Sequence, residues 1–191
     1  MTIFSKVFLE EIISFFTQIS NLIIAVPLWN KISRRPVMKP QIELLAPELE
    51  AALRARLAAN PFIRFVGIQV PQLGRGYARF VLPFKPKLAN SIGLMQGGVI
   101  AALGDEAVAF ALYSLVAEGE TLNTVEMKIN FLAAVKPATE AVEAVAWIAK
   151  RGRTISLGEF EVRQGERLVA KGLCTYIHLA GKKAIQRASE A

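Results

Sequence analysis

One stretch of this 191-residue chain constrains its fold more than any other: residues 90–114, NSIGLMQGGVIAALGDEAVAFALYS. Polar residues and glycines give way at Gly97-Gly98 to a long run of Val, Ile, Leu, Ala and Phe, broken once by Asp105 and Glu106. Two adjacent glycines ahead of an apolar helix let the backbone approach another group closely. The free N–H groups there sit at the positive end of the helix dipole. Two carboxylates inside an otherwise apolar helix are costly unless they are partnered or used. A helix start able to polarise an oxygen, followed two turns on by an acid, outlines a catalytic site.

Around this helix the signals are ordered. Pro47-Glu48 opens a short helix with an acidic first turn, and Asn60-Pro61 stops it. Residues 65–70 and 77–82 alternate as strands, with a turn over 73–76. After Gly119, four further strands cover 121–132, 141–150, 154–163 and 167–178, with tight turns at Arg151-Gly152-Arg153 and Gln164-Gly165-Glu166. One apolar helix followed by an antiparallel meander implies an α+β domain whose sheet wraps the helix. The organisation expected is an N-terminal amphipathic helix and basic linker over 1–40, a domain over 41–180, and a basic tail over 181–191.

In the N-terminal part, Phe8, Ile12, Phe15, Ile19, Leu22 and Val26 recur at helical spacing, and Lys31, Arg34, Arg35 and Lys39 follow. Packing on its own domain or on a partner chain, and docking on a membrane surface, are both open for this helix. Thr17, Gln18, Ser20 and Asn21 argue against a membrane span, and Glu10 and Glu11 against a cleaved signal peptide. The net charge of +7 has its surplus mainly in the termini, and aromatics make up only 8%, so no nucleic-acid partner is expected. A single cysteine, Cys174, rules out an internal disulfide and suits a reducing, cytoplasmic setting. A single histidine, His178, leaves no zinc pair and argues against a Ser-His-Asp triad. No metal or cofactor is implied.

These residues together resemble the hotdog-fold thioesterases, and within them the PaaI-like acyl-CoA thioesterases, over about residues 60–178. The resemblance is carried by Asn90 and Gly93 ahead of Gly97-Gly98, by Asp105 nine positions after Gln96, by TVEMKINFLAAV over 124–135, and by GRT over 152–154 with the closing LVAKGLCTYIHL. It departs at Gln96, where the family has His; Gln donates and accepts hydrogen bonds but takes no proton near neutral pH. The resemblance implies hydrolysis of acyl-CoA to CoA and a carboxylic acid, by a homodimer or homotetramer whose sites combine two subunits. The Gly97 N–H would then hold the oxyanion, and Asp105 would act as general base or nucleophile.

In the same scheme Asn90 and Gln96 orient the thioester or a water, Thr124 bonds that water, and Gly98 together with Lys150, Arg151 and Arg153 meets the substrate, the three cations at CoA phosphates. Plainer roles stay open: a turn for Asn90, a polar strand face shared with Glu126, Lys128 and Asn130 for Thr124, and a solvated turn for the cations. Asp105 and Glu106 are adjacent, so they point about 100° apart, and only one is expected to face the site. Cys174 and His178 are expected to be strand residues without chemistry. The alternative function is a non-catalytic acyl-CoA or lipid-binding protein of the same fold.

Overall fold

A computed structural model of the chain describes residues 42–117, 119–137 and 140–179. The amphipathic helix expected within 1–40, its basic linker and the tail 181–191 lie outside the described residues. Helix α1 (Pro47–Ala59) begins with a proline, carries Glu48 and Glu50 in its first turn, and buries Leu53 and Leu57 one turn apart.

Asn60 then does more than end α1. Its Oδ1 accepts from the N–H groups of Phe62 (3.0 Å) and Ile63 (3.3 Å), capping a second helix, α2 (Pro61–Val66), which Gly67 closes at φ 84°. The strand expected over 65–70 is corrected accordingly: Phe65 and Val66 are helical, and extended structure begins only at Gln69. An Asn-Pro pair that stops one helix is also a favoured N-cap and first residue for the next. Arg64, Lys87 and Lys85 donate to the carbonyls of Ala58, Phe65 and Val66 at 2.6, 2.9 and 3.2 Å, satisfying the ends of both helices.

Strands β1 (Gln69–Gly74) and β2 (Tyr77–Leu82) form a hairpin that turns on Arg75-Gly76, with Gly76 at φ 66°. The expected four-residue turn is shorter because Leu73 is drawn into the core and Gly74 pairs with Tyr77. Helix α3 (Gly97–Tyr113) follows, then β3 (Thr121–Phe131), β4 (Val142–Lys150), β5 (Ile155–Gln164) and β6 (Arg167–Leu179). Among the described residues six strands pair antiparallel in the order β1-β2-β4-β5-β6-β3, with β1 and β3 at the edges. Helix α3 lies against β2, β4 and β5 and buries Ile100, Leu103, Ala107, Val108, Phe110, Ala111 and Leu112. This sheet around one helix is the hotdog arrangement. Among the described residues no helix is long and apolar enough to cross a membrane.

The approach of helix to sheet is set by missing side chains. A Cβ on Gly104 of α3 would stand 2.4 Å from the Phe160 ring, and one on Gly172 of β6 would stand 2.5 Å from the same ring. One on Gly158 of β5 would meet Val108 at 2.3 Å. Phe160 is fully buried, so it cannot swing aside without opening the core. Gly104→Ala should therefore destabilise the protein by about 1–3 kcal/mol in urea titrations, although alanine is the better helix former. A stabilised variant would contradict this packing.

Candidate active site

Two clefts flank α3. The first, about 380 Å³, lies at the start of the helix and is lined by Asn90, Leu94, Met95, Gly97, Ile100 and residues 131–135. Gly97 and Gly98 are the first two residues of α3, so their N–H groups have no acceptor within the helix. A Cβ on Gly97 would touch the Phe131 ring at 3.6 Å, an ordinary contact, so packing alone does not demand glycine there. Gln96 is the N-cap residue; its side chain makes no capping bond and is exposed. Asn90 builds the turn that leads into the helix. Its Oδ1 accepts from the N–H groups of Ile92 and Leu94, each at 3.1 Å, while its own N–H donates to Leu94 O at 2.7 Å. That leaves its Nδ2 as the group for any ligand.

The second cleft, about 410 Å³, is lined by Asp105, Glu106, Ala109, Phe110 and Tyr113 of α3, by Arg56, Ala59 and Asn60, and by Leu122, Thr124 and Tyr176 of the sheet. Both adjacent acids line it, contrary to the expectation that only one faces a site. The α1–α2 junction folds over the cleft and engages the second acid: Asn60 Nδ2 donates to the Glu106 carboxylate at 3.4 and 3.5 Å. Burial pushes the Glu106 carboxyl above the usual carboxylate range; the Asn60 bond opposes that shift and the Asp105 charge adds to it. Arg56 stacks 3.9 Å over the Tyr113 ring and donates to its hydroxyl at 2.8 Å.

Asp105 is held from the sheet. Thr124 Oγ1 donates to its Oδ1 at 3.0 Å, with Oδ2 at 3.3 Å, and the Tyr176 hydroxyl lies 2.5 Å from Oδ1 and 2.8 Å from the Asp105 main-chain oxygen. Thr124 reaches the acid because β3 is irregular. Thr124 pairs with Tyr176 but Glu126 pairs with Thr175, so Val125 is the extra residue of a bulge. Strict alternation would put Thr124 with Glu126, Lys128 and Asn130; instead it shares the helix-facing side with Leu122, Met127 and Ile129. The sequence carries a trace of this, since apolar positions are even at Leu122 and odd from Val125 onward. Cys174, opposite Met127 and fully buried, has its thiol pushed up to about 12, first by burial and then by the Asp105 charge beside it.

The basic residues lie elsewhere. Lys150, the last residue of β4, and Arg151 and Arg153 on the β4–β5 connection are exposed and line neither cleft. That connection is anchored from beneath: Gly152 N–H donates to Ser156 Oγ at 3.2 Å, and Ser156 Oγ lies 2.8 Å from His178 Nε2. Glu120 closes the network, 3.3 Å from His178 Nδ1 and 3.5 Å from Arg151. Gly152 has no room for a side chain, because a Cβ there would stand 2.1 Å from the Ile155 carbonyl. His178 is thus a buried anchor, and Ser156, 1% exposed, is no accessible nucleophile. Among the described residues no three His, Cys, Asp or Glu side chains converge as metal ligands would.

One chain therefore brings Asp105 and Thr124 together in one cleft and Asn90 and Gly97 in the other, while Gln96 and Gly98 flank Gly97 in sequence and line neither. Eight residues of helix put Gly97 and Asp105 about 12 Å apart along the axis. Tyr176, Asn60, Arg56 and Tyr113 join the Asp105 cleft without a sequence motif to announce them.

Known proteins share the sequence pattern and the fold. The thioesterase superfamily matches residues 92–171. An esterase-named protein of Saccharolobus solfataricus is 31% identical over 124 residues, covering 63% of this chain and 79% of the relative. The crystal structure of a thioesterase family protein from Silicibacter pomeroyi superposes with TM-score 0.65 at 27% identity, over 70% of this chain and 99% of that one. A conserved protein of Pseudomonas aeruginosa superposes with TM-score 0.61 at 35% identity, over 65% and 98%. The E. coli PaaI protein shares the fold, with TM-score 0.65 at 20% identity over 72% and 97%. The chain belongs to the thioesterase superfamily.

Proposed function

We propose that the chain is an acyl-CoA thioesterase acting as at least a dimer, each active site combining Asp105 of one copy with the Gly97 amide of another. The observation that carries this reading is the division of the two groups between the clefts at the two ends of edge strand β3. Thr124, near its start, bonds Asp105; Phe131, at its end, packs on Gly97. The outer edge of β3 has no partner strand among the described residues, and Val125, Phe131 and Leu132 are 54%, 52% and 58% exposed. An edge strand whose outward N–H and C=O groups lack a partner strand is open to pairing with another copy. Antiparallel pairing of two β3 strands about a two-fold axis between Thr124 and Phe131 sets the Asp105 end of each against the Gly97 end of the other.

In such a site the Gly97 N–H, at the positive end of α3, stabilises the negative oxygen that develops as the thioester carbonyl is attacked. Asp105 removes a proton from the attacking water, or attacks first to form an acyl-aspartyl intermediate that water then hydrolyses. The carbon–sulfur bond breaks and the sulfur leaves with a proton, giving a carboxylic acid and a free thiol. Gln96 adds hydrogen bonds at the helix start. The anchored loop with Lys150, Arg151 and Arg153 is suited to the phosphates of CoA. The Gln96 side chain and the committed Asn90 oxygen favour a second reading, binding of acyl-CoA without turnover, which the same assays separate.

Asp105→Asn should lower kcat for thiol release by at least about 100-fold, since it removes the base. Gly97→Pro is the complementary probe. Proline is tolerated at the first helical position, and Gln96 already has the extended backbone that precedes a proline (φ −61°, ψ 133°), so the helix start can keep its backbone while the N–H is replaced by ring carbon. A fall of about 100- to 1,000-fold in kcat is expected. Mixing the two inactive variants and allowing exchange should restore about a quarter of wild-type activity, because half the dimers then hold one intact site of two. No recovery in exchanged mixtures would exclude the shared site.

Glu106→Gln should retain most activity in the same assay. Cys174, the only cysteine in the chain, should not react with a thiol-specific chromogenic reagent at pH 8 in the native protein, because its thiol is raised to about 12. Colour appearing in the absence of substrate would contradict that environment.

A further inference from the structure

We propose that Tyr176 of β6 is a positioning residue for Asp105, fixing both the height of the acid on α3 and which of its two oxygens remains available for reaction. The proposal rests on the functional reading above and deepens it. The Tyr176 hydroxyl lies within bonding distance of two atoms of one residue, the Asp105 main-chain oxygen at 2.8 Å and its Oδ1 at 2.5 Å. One contact locates the backbone and the other the side chain, so together they restrict the rotation of the carboxylate about its Cα–Cβ bond. Thr124 bonds the same Oδ1 at 3.0 Å and reaches Oδ2 only at 3.3 Å. Two hydroxyls thus concentrate on Oδ1, and Oδ2 keeps its lone pairs for a water or a thioester carbon.

The remainder of the tyrosine is locked into the core. Its ring is 2% exposed, so the hydroxyl has a defined direction. Burial, then the neighbouring Asp105 charge, raises the phenol well above its ordinary range, so it stays a donor at any working pH and never competes as a base. The bulge at Val125 is what lets the arrangement close, because it brings Thr124 into register with Tyr176 on the face of β3 turned to the helix.

Removing the hydroxyl and nothing else tests the idea. Tyr176→Phe keeps the ring and its packing, so the melting temperature should stay within a few degrees of wild type. We expect kcat for acyl-CoA hydrolysis to fall on the order of 10- to 100-fold with KM within about twofold, the signature of a misplaced catalytic group rather than of lost binding. In an Asp105→Asn background the same substitution should have no further effect, because the residue it acts through is already disabled. Wild-type kcat in Tyr176→Phe, or an equal fall in both backgrounds, would overturn the proposal while leaving Asp105 as catalyst. A separate readout needs no turnover: the carboxyl carbon resonance of Asp105, assigned in labelled protein by its loss in Asp105→Asn, should move in Tyr176→Phe. If wild type hydrolyses no thioester, the functional reading fails on its own terms. An unmoved resonance would overturn the positioning role whatever the activity.

Discussion

The structure depends on how closely α3 can lie on the sheet. Glycines at 104, 158 and 172 leave no side chains where helix and strands meet, and the Phe160 ring fills the space between Gly104 and Gly172. Gly104 directly precedes Asp105. The contact that draws the helix down therefore also lowers the acid to the sheet, where side chains as short as threonine can reach it. Larger residues at these three positions would lift the helix, and the hydroxyls of Thr124 and Tyr176 would then lose the carboxylate. Core packing and site geometry are here one constraint, expressed at neighbouring residues.

The arrangement also explains why two acids tolerate one largely apolar helix. Asp105 is compensated by hydroxyls from β3 and β6, and Glu106 by the Asn60 amide from the α1–α2 junction. Their environments differ: one acid is gripped by two donors, whereas the other is pushed toward its neutral form by burial with a single weak bond. Such asymmetry between adjacent carboxyls suits the proposed division, in which Asp105 reacts and Glu106 does not. At the far end of the same helix, the unbonded amides of Gly97 and Gly98 complement a developing anion. The helix-start amides and Asp105 sit on one rigid element about 12 Å apart along its axis, and that separation is the physical basis for proposing a site shared by two copies.

Much of this was legible in residue order. The glycine pair before the apolar run marks the start of α3, the alternating stretches mark the sheet, and Asp105 and Thr124, singled out by spacing, lie in hydrogen-bond contact. The signals that misled were those with two meanings. Asn60-Pro61 ends one helix and begins another, and either reading satisfies local preference; only the Oδ1 contacts to Phe62 and Ile63 decide it. Alternation along β3 suggested a polar face containing Thr124, and one extra residue reversed it. Tyr176 stands 71 positions from Asp105 in the chain, in a strand whose pattern looks ordinary. Nothing local can announce a contact that exists only after the helix has settled on the sheet.

The bulge at Val125 divides β3 into two segments with opposite parity. Before it, Leu122 and Thr124 turn inward, to the core and to the Asp105 carboxylate; after it, Met127 and Ile129 turn inward while Glu126, Lys128 and Asn130 turn outward. A deletion of one residue at that point would merge the two parities, turning either the hydroxyl or the apolar side chains the wrong way.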